Sequence, residues 1–296
     1  MPHKVILRIF TVSAVLVTFL RFAQLFFTIE TSTGFSVHGY YEKVNVIIYA
    51  VMVLLFAIPS FFSAFSSNRQ PTRAPIPKSF PILTVSNFIV AIYLLVTAGV
   101  GVINLANLTT LPIIELILLI ISAVWFIIYG IAGIVKIKLP NALSISPIIL
   151  LLVKLINIFI SHNGLANISE NLIETLFLCS LLLFFLLQSK ILCRVTIRKS
   201  SRIIFTVAII TFLLMLIGNV PPLLINLLGR GELLHTSSIF NLEYVIFGTY
   251  AFVFTMQLYS KSKWPTSIES HSTEHMETIS DPTTHTKFII DPKEKN

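Results

Sequence analysis

The stretch KILCRVTIRKSSR, residues 190–202, orients this chain. It carries Lys190, Arg194, Arg198, Lys199 and Arg202 and no acid, and a long apolar run lies on each side of it. Cationic loops of a multi-spanning protein resist translocation, and the lysine and arginine bias of short loops sets topology. With this stretch on the cytoplasmic side, the flanking apolar runs fold outward from it and back. The reading is of an all-α polytopic helical membrane bundle.

Composition points the same way. Of 296 residues, 55% are hydrophobic and 11% charged, against about a quarter charged in an ordinary soluble domain. The mean hydropathy is +0.88. Each crossing of the hydrocarbon needs about 20 apolar residues, and the chain supplies about eight such runs, at 5–27, 44–65, 81–105, 111–135, 143–160, 172–187, 203–228 and 239–259. The first is long, carries Arg8 and Arg21, and ends without a small-x-small cleavage site, so it reads as a retained span. The organisation expected is an eight-helix transmembrane domain over 1–260 and a polar, disordered cytoplasmic tail over 261–296, rich in Ser, Thr and Glu.

Charge alternates with the spans. Lys4 and Arg8, then Arg69, Arg73 and Lys78, then Lys136 and Lys138, then the 190–202 stretch, then Lys261 and Lys263 fall on one side. Glu30, Glu42, Glu115, Glu170, Glu174, Glu232 and Glu243 all fall in the opposite loops or in the half-spans next to them. Both termini are therefore expected in the cytoplasm. The net charge of +8 sits between apolar runs, where topology and anionic lipid account for it, so no nucleic acid is expected as a partner. Cys179 and Cys193 form no disulfide or metal-ligand spacing, and Cys179 reads as a small buried hydrophobe. The sequons Asn107-Leu-Thr109 and Asn167-Ile-Ser169 lie on the outer side and matter only in a eukaryotic secretory route.

Charges inside a span are costly and face the bundle interior or a water-filled cavity. Lys154 lies about 16 Å into its predicted span at 1.5 Å per residue, near the midplane and far from either interface. Asn157 follows on the same face. Glu243 and Glu115 lie about 6 Å in from the outer side and Glu174 less, while Arg21 and Gln24 share the outer part of the first span. Asn219 precedes the pair Pro221-Pro222, which is expected to break the seventh span and free backbone carbonyls. The candidate ligand-binding set is thus Arg21, Gln24, Glu115, Lys154, Asn157, Glu174, Asn219 and Glu243. In one reading these residues line an outward-open polar cavity for a small polar or charged ligand. In the other, Lys154 and Arg21 pair with Glu243, Glu115 or Glu174 and lock the bundle. The glycines at 99, 101, 130 and 133 read as close helix contacts.

The segment from Arg21-x-x-Gln24 to Thr33-Gly34-Phe35 resembles the end of the first span in uncharacterised multi-pass membrane proteins of low-GC Gram-positive bacteria. That resemblance implies a bacterial plasma membrane and no particular activity. No Gly-rich phosphate loop, G-x-S-x-G or H-E-x-x-H is present, and no aspartate precedes the tail. The chain is accordingly expected to be no enzyme, with no cofactor and no metal. Two functions follow as expectations: a small-solute transporter, or a non-enzymatic sensor or assembly protein, whose protein partners the sequence leaves open.

Overall fold

The computed structural model describes residues 3–27, 40–64, 81–103, 110–135, 140–161, 168–193, 197–230 and 242–260. Among them are eight α-helices: α1 (His3–Phe27), α2 (Tyr40–Ala64), α3 (Pro81–Ile103), α4 (Thr110–Ile134), α5 (Ser146–Ser161), α6 (Ile168–Leu192), α7 (Ile197–Leu227) and α8 (Leu242–Ser260), with one 3-10 turn at Asn141–Ile145 before α5. Seven of the helices are long and apolar enough to cross a membrane, and α8 supplies a shorter apolar stretch, Leu242–Leu258. That stretch is near the lower limit for a spanning helix. The predicted spans hold to within a few residues, and the polytopic bundle is the observed fold.

Side-chain contacts fix the directions of neighbouring helices. Arg21 and Gln24 near the end of α1 meet Tyr49 and Asn45 near the start of α2. Gly101 at the end of α3 faces Leu116 at the start of α4, whereas Gly130 late in α4 faces Phe88 early in α3. On α6 and α7, Ile173 approaches Gly218, and Ser180 bonds Thr211 at 3.1 Å. Met215 and Phe212 of α7 meet Gly248 and Phe252 of α8. These pairs run antiparallel, as short reversals in a bilayer require.

Helices α3, α4, α5, α6, α7 and α8 follow one another as neighbours and close a ring through α3–α8 contacts, while the α1–α2 hairpin packs on α7. Helix α7 is therefore the most enclosed, with 61% of its spanning window buried, and α2 the least, with 17%. An aromatic core joins α4, α6 and α8. Phe126 meets Tyr250 edge-on at 5.3 Å, Phe184 meets Phe254 at 5.8 Å, and Phe185 meets Phe247 at 5.8 Å, the edge-to-face geometry that the ring quadrupole favours.

Two expectations are corrected. The proline pair does not break the seventh span: α7 runs through Pro221 and Pro222 to Leu227, with both rings buried. A proline removes its own N–H to the carbonyl four residues back. Here only the Ile217 and Gly218 carbonyls lose that partner, within the helix's last turns. The 190–202 stretch is also not a loop throughout, since α6 extends to Leu192 and α7 starts at Ile197. Lysine and arginine are good helix formers, so a basic run between two spans can remain helical at both ends. The tail from 261, the loops holding Arg69, Arg73, Lys78, Lys136 and Lys138, Asn107 and Asn167 of the sequons, and His38 and His235 lie outside the described residues.

The glycines divide by packing. A Cβ on Gly248 would stand 2.8 Å from Met215 Cβ and 2.9 Å from its Cγ, atoms held close to the α7 backbone, whereas one on Gly99 would meet nothing within 4 Å. Gly248→Ala is expected to push α8 off α7 and cost about 1–3 kcal/mol, as overpacking does. Gly99→Ala should be neutral or slightly stabilising. Thermal unfolding of the purified variants in detergent checks both.

Candidate functional site

A lysine in hydrocarbon needs a counter-charge, and Lys154 has two. Its Nζ donates to both carboxylate oxygens of Glu243 at 2.5 Å and lies 3.5 Å from Glu115 Oε1. Asn157, three residues on along α5, donates from Nδ2 to the other oxygen of Glu115 at 3.5 Å. One lysine thus ties α5 to α8 and to α4, and Asn157 repeats the tie to α4. The side chains of Lys154, Glu115 and Glu243 are 12%, 21% and 6% exposed, so the group is largely sealed.

A third acid joins from α6. Tyr244, next to Glu243 on α8, donates its hydroxyl to Glu174 Oε1. Tyr93 of α3 lies close enough to feel both Glu243 and Lys154. The assembly therefore draws on α3, α4, α5, α6 and α8 at one depth. It sets three carboxylates against one lysine.

The acids lie toward the amino-terminal ends of their helices: Glu243 sits in the first turn of α8, Glu115 is near the start of α4 and Glu174 near the start of α6. The partial positive charge at a helix amino terminus acts within its first turn and so favours the Glu243 carboxylate. Even-numbered helices all begin at the same end of the bundle, so the acids collect there.

Arg21 and Gln24 do not belong to this group. Arg21 Nη1 donates to Gln24 Oε1 at 2.7 Å and to the Tyr49 hydroxyl at 3.4 Å, and Gln24 Nε2 donates to Asn45 Oδ1. This polar chain fastens α1 to α2. Asn219 is buried on α7, and its Nδ2 donates to the Met215 carbonyl of its own helix at 3.4 Å. The expected single convergence of polar groups is thus divided: the Lys154 group is one cluster and the Arg21–Gln24–Asn45–Tyr49 chain another. Asn45, Tyr49, Tyr93 and Tyr244 were not among the sequence candidates. Asn45 and Tyr49, four residues apart inside an apolar run, carried a usable signal: a polar pair on one helix face. Tyr244 carried little beyond its place beside Glu243.

The structure contains a cavity of about 610 Å³ between α2, α6 and α7, lined by Met52, Phe56, Leu176 and Leu214 among others. It is apolar and does not include Lys154. Cys179, expected to be buried, is exposed on α6 at the wall of this cavity. Comparison with protein-family models, with curated proteins and with solved structures returns no match, so the reading of this site rests on its own geometry.

Lys154→Met strands carboxylates in a closed space and is expected to cost about 3–5 kcal/mol, the usual penalty for breaking one side of a buried pair. The double variant Lys154→Met/Glu243→Met should recover at least half of that loss, because an apolar pair of similar volume replaces the ionic one. Thermal unfolding of the three proteins in the same detergent decides it.

Proposed function

We propose that this chain is a non-enzymatic membrane interaction or sensing protein, resident in a bacterial plasma membrane. In this reading the intramembrane charges hold the bundle in one arrangement. The observation that carries it is the closure of Lys154 by Glu243 and Glu115: its donors are directed at protein carboxylates in a space with little exposure. A bundle locked in this way presents stable lipid-facing surfaces for a partner. The membrane assignment finer than "integral" rests on the alternation of basic and acidic residues and on the resemblance at residues 21–35.

A second reading, a small-solute transporter, is favoured by one feature of the same site. Three carboxylates, Glu115, Glu174 and Glu243, share a depth with a single lysine, and such a surplus is suited to a translocated proton or alkali cation. The double variant Lys154→Met/Glu243→Met separates the two readings, since it is expected to fold. Full-length protein in proteoliposomes, with a trapped pH dye and an imposed gradient of potassium or protons, should show no flux above protein-free vesicles. Flux in the wild type that disappears in the folded double variant would overturn the proposal in favour of transport.

A further inference from the structure

We infer that the groove between α2 and α6 holds one acyl chain of an outer-leaflet phospholipid. This goes beyond the reading above, because a chain seated there is compatible with either account of the charge cluster.

The groove has two walls and a floor. Tyr49, Val53 and Phe56 form the α2 wall, Leu172, Leu176 and Leu183 belong to the α6 wall, and α7 lies beneath. Its extent along α6, from Leu172 to Leu183, is about 16 Å at 1.5 Å per residue. That is close to half of the roughly 30 Å hydrocarbon core, or one leaflet. It begins near the outer end of α6, so the leaflet is the outer one. The groove also opens sideways to the bilayer, because Val53, Leu172 and Leu176 remain 65%, 55% and 47% exposed.

Length selects between the two apolar occupants a membrane offers. A transmembrane helix would need a groove running the full roughly 30 Å of hydrocarbon, whereas this one spans about half of that. A single hydrocarbon chain fits the shorter length. The outer end then supplies the polar match. Tyr49 is the outermost α2 residue of the groove, and its hydroxyl oxygen accepts from Arg21 Nη1 at 3.4 Å. Its own proton has no acceptor among the described residues. A hydroxyl donor beside a guanidinium complements an ester or phosphate oxygen in both sign and hydrogen-bonding role.

The test is native mass spectrometry of the delipidated full chain in mild detergent, after exposure to dioleoyl phosphatidylglycerol. One lipid retained per chain is expected, with retention falling at least fivefold in Leu176→Trp and in Val53→Phe, which fill the groove from opposite walls. Tyr49→Phe should weaken retention about threefold to tenfold. Val85→Trp, at a lipid-facing site on α3 away from the groove, should leave it unchanged. If one filling variant fails to fold, the other decides. No lipid retained by the wild type overturns the inference, as does equal retention in a folded filling variant. A dimer that Leu176→Trp dissociates would also overturn it and assign the groove to a protein partner.

Discussion

The ammonium of Lys154 is the constraint to which one end of this bundle answers. A charge at this depth costs several kcal/mol unless it finds a partner, and α5 has no acid of its own to offer. The partners come from α8 and α4, so both helices must begin at the depth that brings Glu243 and Glu115 to the same nitrogen. This explains why α8 can be short. Its first turn is held by charge, and the aromatic contacts of Phe247, Tyr250 and Phe254 with α4 and α6 hold the rest. Inward of the ion pairs, the Gln188 amide donates to the Tyr250 hydroxyl at 2.6 Å, a neutral contact that orders the core without adding charge.

The two polar clusters divide the bundle into parts with different bonds. Five helices share the Lys154 group, whereas α1 and α2 share a neutral-plus-guanidinium chain and meet the rest through α7 and, at Phe10–Phe252, α8. On that second contact Phe10, Phe205, Ile209 and Leu213 pack together with aromatic support from Phe252. The α1–α2 hairpin is thus attached by apolar packing, while the ring is pinned by ions. Where the hairpin leaves α2 apart from α6, the groove appears.

Much of this was legible in the residues. Spans are legible because backbone groups in hydrocarbon must bond within their own helix, so apolar length nearly dictates structure. The Lys154–Glu243 pair was legible as a candidate because a mid-span lysine has few options and only a handful of acids share its depth. What stayed hidden depended on helix neighbours. Arg21 looks equivalent to Lys154 in sequence, and only the appended position of α1 separates them. The proline pair was misread because a missing N–H is a local defect, and whether a helix bends there is decided by what packs around Ile217 and Gly218. The groove had no signature at all, since its lining residues are ordinary lipid-facing types.

The appended hairpin has a consequence for biogenesis. Helices α1 and α2 leave the ribosome well before α7, the surface on which they settle. Until α7 is made, the hairpin must persist in the bilayer without its final neighbour. The chain Arg21–Gln24–Asn45–Tyr49 is internal to the hairpin, so it can form as soon as both helices are inserted. It engages the guanidinium through Nη1 during that wait and sets the angle at which the pair later docks. An early intramembrane polar contact of this kind serves as a placeholder, keeping the earlier helices in register until the later ones arrive.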